Sequence, residues 1–342
     1  MGLNIGLPTD GVPNRGWKIW VTSTAMVSCA AILVTIRVVT RCFRGGIKCD
    51  DWTIIAALIC SILLTVTENM AVSEGYGKHD WDVPKEHRIK ALQWFFAAQV
   101  FYKLVIVFAK CSIVFLYLRI FSIEKSFRWA CNALILVNLL SGFAFIIATV
   151  FQCRPVKAFW DRSIPNYTCI DHFSFWMSYS VINIITDFII LCLPIQQIAR
   201  LQLRKEDKVA LIFVFGLGGF VCITSIIRAT TIAASSSSTD ATWSPIPATI
   251  WSVVECNTGI ICACTPMIRQ PLSALFPRVF VSLARGSSNA PMQKSRANTP
   301  RSRLSFEPPL VTSASAPWDS EEQLHTMGVS REGGYSNSTA RT

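Results

Sequence analysis

From Leu92 to Phe121 the chain reads LQWFFAAQVFYKLVIVFAKCSIVFLYLRIF, a run whose only charges are Lys103, Lys110 and, near its end, Arg119. About 20 apolar residues cross a bilayer as a helix, and this stretch exceeds that length. A cation in hydrocarbon costs roughly 2.5 kcal/mol or more, so it faces a bundle interior or water. Lys103 and Lys110 are seven apart, two helical turns, and project from nearly the same face. One side of this helix therefore meets lipid, and the other requires acidic or polar neighbours.

Seven such spans follow one another: Ile19–Val39, Trp52–Val72, Leu92–Leu118, Trp129–Phe151, Phe175–Ile195, Val209–Ala233 and Ile246–Ile268. With 51% of its 342 residues hydrophobic and 15% charged, the chain has the balance of a polytopic membrane protein. The net charge of +11 is spread between spans and through the tail, a distribution that marks topology and argues against a nucleic-acid partner. No internal repeat is visible, which weakens a transporter of inverted halves. No signal-peptide pattern precedes the first span. The expected fold is an all-α membrane protein, a seven-transmembrane-helix bundle over residues 17–275. A short extracellular N-terminus, 1–16, precedes it, and a cytoplasmic tail rich in Ser, Pro and Arg, 276–342, follows it. Disorder is expected from about Arg285.

Orientation follows from Lys and Arg in the loops. With the N-terminus outside, the inner segments hold thirteen and the outer ones nine. Asn166-Tyr167-Thr168, a glycosylation sequon, then falls in an outer loop. Cys153 and Cys169 flank the same loop, where an oxidising compartment allows a disulfide. The plasma membrane is the expected location.

Asp187 and Glu255 are the acidic candidates to answer the two lysines. At ~1.5 Å per residue, Lys103 lies ~16 Å from Leu92, Asp187 ~18 Å from Phe175 and Glu255 ~13 Å from Ile246. Depths this similar permit ion pairs if the helices are neighbours. Lys110 lies ~27 Å in, where snorkelling competes. Asn183 shares a face with Asp187, Pro194 is expected to kink or end that helix, and Gly259 offers close approach beside Glu255. This intramembrane polar network of Lys103, Lys110, Asn183, Asp187 and Glu255 reads equally as a ligand-responsive pocket or as a structural brace. Arg37, Glu68 and Arg228 lie nearer span ends, which suits snorkelling or an interface. At the cytoplasmic end Asp50 and Asp51 open the second helix, where the dipole favours carboxylates, and Arg37 and Arg41 can clamp them across the turn. Cys262 and Cys264 have no partners spaced for a metal site, and none is expected.

Taken together, several motifs resemble the fungal rhodopsin-domain integral membrane proteins. They are Arg37…Arg41…Asp50-Asp51-Trp52, Gly75-Tyr76-Gly77-Lys78-His79, Lys110-Cys111-Ser112-Ile113 and Tyr117-Leu118-Arg119-Ile120-Phe121. Cys153-Arg154-Pro155…Trp160…Cys169, Asn183…Thr186-Asp187…Leu193-Pro194, Arg228 and Glu255…Pro266 complete the set. The resemblance covers about Trp17–Leu275. It implies a seven-helix bundle, N-terminus outside, in a family with members encoded near secondary-metabolite gene clusters, such as the satratoxin cluster, and with receptor-like relatives. Those relatives can carry an eight-cysteine extracellular module before the first helix, whereas no cysteine precedes Cys29 here. A retinal Schiff base needs a lysine in the last helix. Ile246–Ile268 has none, so no retinal cofactor is expected.

Three function classes remain. A receptor-like sensor would bind an unknown small-molecule ligand, bias the polar network, and report through basic inner loops and a Ser-rich tail to a cytoplasmic signalling partner. A membrane-embedded, cyclase-like enzyme of secondary metabolism would use Asp187 or Glu255 as a general acid, although a lysine nearby favours the ionised form, which cannot donate. A transporter or an accessory scaffold is the third. The sensor leads.

Overall fold

A computed structural model describes residues 6–8, 12–44, 46–120, 124–200, 205–235 and 240–275. The tail expected to be disordered lies outside them, as does the start of the N-terminal segment. Among the described residues the chain is all-helical apart from one short hairpin, with α1 (Gly16–Arg44), α2 (Cys49–Ser73), α3 (Lys85–Ile120), α4 (Lys125–Val150), α5 (His172–Arg200), α6 (Lys205–Ser235) and α7 (Ile246–Leu275). Each of the seven contains a span long and apolar enough to cross a membrane. Hydrocarbon offers no partner for backbone amides, and a helix satisfies them internally. The chain is an integral, multi-pass membrane protein.

The observed helices overrun the apolar spans. At 36 residues α3 is ~54 Å long against ~30 Å of hydrocarbon, so its first turns, Lys85–Lys90, stand beyond the bilayer. Nor does Pro194 end α5; the helix continues to Arg200. Its missing amide removes one rung, and the turns on either side are still bonded.

Each helix packs on its sequence neighbours and α7 returns to α1, while α3 and α7 also meet across the bundle. These two are the most buried helices, and α4 is the least. On α4, Leu136, Leu140, Phe143 and Ile147 repeat at helical spacing and are exposed, forming a lipid-facing stripe. Its opposite side presses on α3 at Gly142, where a Cβ would come within 2.3 Å of Val107. Small residues permit such approaches where burial from water provides no drive between helices.

One end of the bundle is closed by the loops. Gly75 and Gly77 take φ of +105° and +115°, so the Gly-Tyr-Gly sequence is a turn that L-side chains would strain. Gly77 N donates to Thr242 O at 3.1 Å, and its carbonyl accepts from Arg15 N at 2.9 Å. This ties the α2–α3 turn to the α6–α7 loop and to the residues before α1. The α4–α5 loop pairs β1 (Cys153–Arg154) with β2 (Thr168–Cys169), and Cys153 is bonded to Cys169. Its Phe159 and Trp160 rings lie on Phe96 of α3 at 5.3 and 5.6 Å between centroids.

Candidate functional site

Two polar assemblies lie inside the bundle. The first occupies its middle. Lys110 Nζ on α3 is buried between Asp187 Oδ1 at 3.0 Å, Asn183 Oδ1 at 2.7 Å and Thr186 Oγ1 at 2.7 Å, all on α5. The three α5 residues fall within four positions, so one turn presents them together. Asn183 Nδ2 then donates to Glu255 Oε1 on α7 at 2.7 Å. Ser225 Oγ of α6 reaches both carboxylates, 3.1 Å from Asp187 Oδ2 and in hydrogen-bond contact with Glu255. Tyr102 OH donates to Glu255 Oε2 at 2.8 Å, and Arg228 Nε stands 2.7 Å from the same oxygen. Four helices, α3, α5, α6 and α7, are thus joined by one connected set.

Lys103 departs from the expected pairing. It is fully buried, yet meets neither Asp187 nor Glu255; its Nζ has no hydrogen-bond partner. Instead it lies 4.1 Å from the Trp176 ring centroid, 5.1 Å from Tyr179 and 5.7 Å from Phe175. The cause is direction. A helical side chain leans toward the helix N-terminus, so Lys103 rises to the start of α5 while Asp187 sits two turns deeper. Cation–π attraction contributes roughly 2 kcal/mol when desolvated, against several kcal/mol for burying the ion, so the rings alone do not offset the cost.

Arg228, expected at an interface, is 0% exposed and is the actual partner of Glu255. Counting depth back from the α6–α7 loop would have found it. Arg228 is seven residues above the end of α6 and Glu255 nine beyond the start of α7, ~10 and ~14 Å. Arg37 is likewise 0% and Glu68 4% exposed, so neither snorkels. Tyr102, Trp176, Tyr179 and Ser225 carried no sequence signal, because aromatic and hydroxyl residues are common on any span. At Gly259 a Cβ would meet Ala109 at an ordinary 3.8 Å, so that position does not need glycine for packing.

The second assembly lies at the opposite end from the disulfide. Arg37 Nη2 is 2.8 Å from Asp50 Oδ2, Nε is 2.9 Å from Asp51 Oδ1, and Nη1 donates to Ala263 O of α7. Arg41 stands further off, 3.7 and 3.8 Å from the two carboxylates. Two α3 residues join in. Ser112 Oγ donates to Asp50 O at 2.8 Å, and Arg119 Nη1 is 3.4 Å from Asp50 Oδ1. The acidic partner that Arg119 lacks in its own helix is supplied by α2.

The comparisons with known proteins bear on this architecture. The fungal rhodopsin domain description matches residues 36–274. Over 237 residues the chain is 27% identical to the Fugralins biosynthesis cluster protein 2 of Gibberella zeae, covering 68% of this chain and 59% of that protein. It is 29% identical over 199 residues to the Satratoxin biosynthesis SC1 cluster protein 4 of Stachybotrys chartarum, 57% of this chain and 71% of that one. Over 277 residues it is 24% identical to the Receptor GIN3 of Arthrobotrys oligospora, 77% and 66% respectively. The chain thus spans less than two thirds of the length of the first and third of these relatives. No solved structure matches.

Proposed function

The chain belongs to the fungal rhodopsin domain family, and we propose that within it this protein is a receptor-like sensor that works without retinal. One observation carries the reading. Lys110 and Ser112, two residues apart on α3, hold the central network and the Arg37–Asp50 clamp respectively. On α7, Glu255 and Ala263 do the same. A ligand that redistributes the bonds around Glu255 would therefore act on two helices that also hold the far end. The orientation proposed is N-terminus outside, which places the disulfide and the Asn166 sequon on the ligand side and the clamp beside a cytoplasmic signalling partner. A relative named as a receptor supports this class; relatives named for biosynthesis clusters support a setting in secondary metabolism.

The contacts of Asp187 with Lys110 and of Glu255 with Arg228 count against acid catalysis, since each carboxylate is already engaged by a basic side chain rather than open to a substrate. The test compares Asp187→Asn and Glu255→Gln with wild type in the native host, measuring surface abundance, transcripts and metabolites. Sensing predicts that many transcripts shift while no single precursor builds up. Accumulation of one untransformed precursor, with normal abundance, would replace the sensor with an enzyme.

A further inference from the structure

Two basic side chains at the disulfide end of the central network carry nitrogens that no acceptor meets. Lys103 Nζ has no hydrogen-bond partner, and neither do Nη1 and Nη2 of Arg228; both residues are fully buried. A single carboxylate serves the pair. Glu255 takes Arg228, whereas Asp187 is taken by Lys110. Asp50 and Asp51 are taken by Arg37 at the far end, and Glu68 forms an ion pair with neither cation and has an unpartnered Oε2 of its own. The immediate surroundings of Lys103 and Arg228 thus hold two basic groups and one carboxylate. Both cations face the Tyr179 ring, Lys103 Nζ at 5.1 Å and Arg228 Cζ at 5.6 Å, and Tyr102 lies 5.3 Å from Arg228 on another side.

We propose that this cluster is the binding site for an organic carboxylate, its anionic head between Lys103 and Arg228 and its apolar body against Trp176 and Tyr179. The ligand class rests on the sensor reading above. Buried amine and guanidinium nitrogens without acceptors are the set that grips a carboxylate, and the rings supply surface for the rest of the molecule. A carboxylate here would compete with Glu255 for Arg228, and Glu255 is the group that Asn183, Ser225 and Tyr102 hold. Loading the site therefore disturbs the bonds that reach Lys110. The approach is from the disulfide end. Trp176 is four residues into α5, ~6 Å below the loop that Cys153 and Cys169 close, and the Lys103 side chain leans the same way.

A soluble aromatic acid and a lipid acid carry the same chemistry, and two probes separate them. Full-length protein in nanodiscs is titrated by thermophoresis with 1-naphthoate and with oleate, each beside its neutral primary amide. At least one acid should bind about tenfold more tightly than its amide, naphthoate marking a soluble source and oleate a lipid one. Lys103→Met, which suits the aromatic surroundings, should weaken acid binding about tenfold and leave amide binding unchanged. Arg228→Lys keeps a charge for Glu255 but loses the free Nη edge, and should also weaken the acid; it carries the test if the first variant does not fold. Equal affinity for acid and amide, or full acid affinity in the folded variants, would overturn the proposal. Acid binding that depends on Lys103, without any host response, would retain the site and remove the sensor. A host response to an external signal that survives Lys103→Met unchanged would do the reverse.

Discussion

Lys110 Nζ and Asp187 Oδ1 lie 3.0 Å apart in the middle of the bundle, both side chains buried, and this pair fastens α3 to α5 where the backbones make few contacts. Removing one partner leaves a charge without its counterion. Lys110→Met should lower stability by about 3–5 kcal/mol, and Lys110→Met combined with Asp187→Leu should recover most of the loss. Thermal unfolding of detergent-solubilised protein measures both. A double variant no better than the single would show that Asn183 and Thr186, not Asp187, are what Lys110 secures.

At the other end the weights of Arg37 and Arg119 differ. Arg37 is fully buried and grips two carboxylates, so Arg37→Met should cost about 3–5 kcal/mol and sharply reduce folded yield. Arg119 is 26% exposed and 3.4 Å from Asp50, so Arg119→Ala should cost only about 0–1 kcal/mol. Any larger change in its signalling than in its stability would mark it as part of the reporting surface. Yield and unfolding of the two variants give the comparison.

The α4–α5 loop offers two chemical tests. Its disulfide closes a separation of 16 residues, for which chain entropy gives about 3 kcal/mol of stabilisation. Cys153→Ser with Cys169→Ser should lower the unfolding temperature accordingly and loosen Phe159 and Trp160 from Phe96. If the loop faces the secretory lumen during synthesis, endoglycosidase should shift the wild type and leave Asn166→Gln unshifted. Absence of any shift in wild type would count against the proposed orientation.

Asp171, exposed just before α5, accepts from Ser174 N at 2.9 Å. Hydrogen bonds from Ser174 hold its carboxyl below the usual carboxylate range. Because the folded value is depressed, the cap contributes above the unfolded value, ~3.9, and is lost as pH falls through the lower folded one. Asp171→Asn should therefore flatten the acid limb of α5 fraying, read by amide exchange at Phe175 and Trp176. An unchanged limb would assign that fraying to another group.

The seven helices were legible because hydrocarbon imposes a length and apolarity that few other folds need. The proximity of Arg37 and Arg41 to Asp50 and Asp51 was readable for a local reason, since a short turn forces α1 beside α2. The inner network was legible only as a roster of polar residues. Which of them meet depends on helix rotation and neighbour order, set by distant contacts such as Gly142 on Val107. Lys103 and Lys110 share a face and yet meet different surroundings, one aromatic and one acidic, because two turns of rise carry them to different levels of α5. Arg228 was misplaced because nearness to a span end was read as exposure, whereas it lies about two turns inside the end of α6 and is covered by neighbouring helices.

The network around Glu255 and the clamp around Asp50 are expected to move together. Cys42 and Cys49 are both exposed beside that clamp and report on it without added probes. Their labelling by a small maleimide, followed by peptide mass spectrometry, should be compared between folded wild type and folded Asp187→Asn. Coupling through α3 and α7 requires the rate at Cys49 to change about threefold or more, as expected if even a minor open state becomes populated. Identical rates at both cysteines, with the variant folded, would contradict it and leave the network a brace.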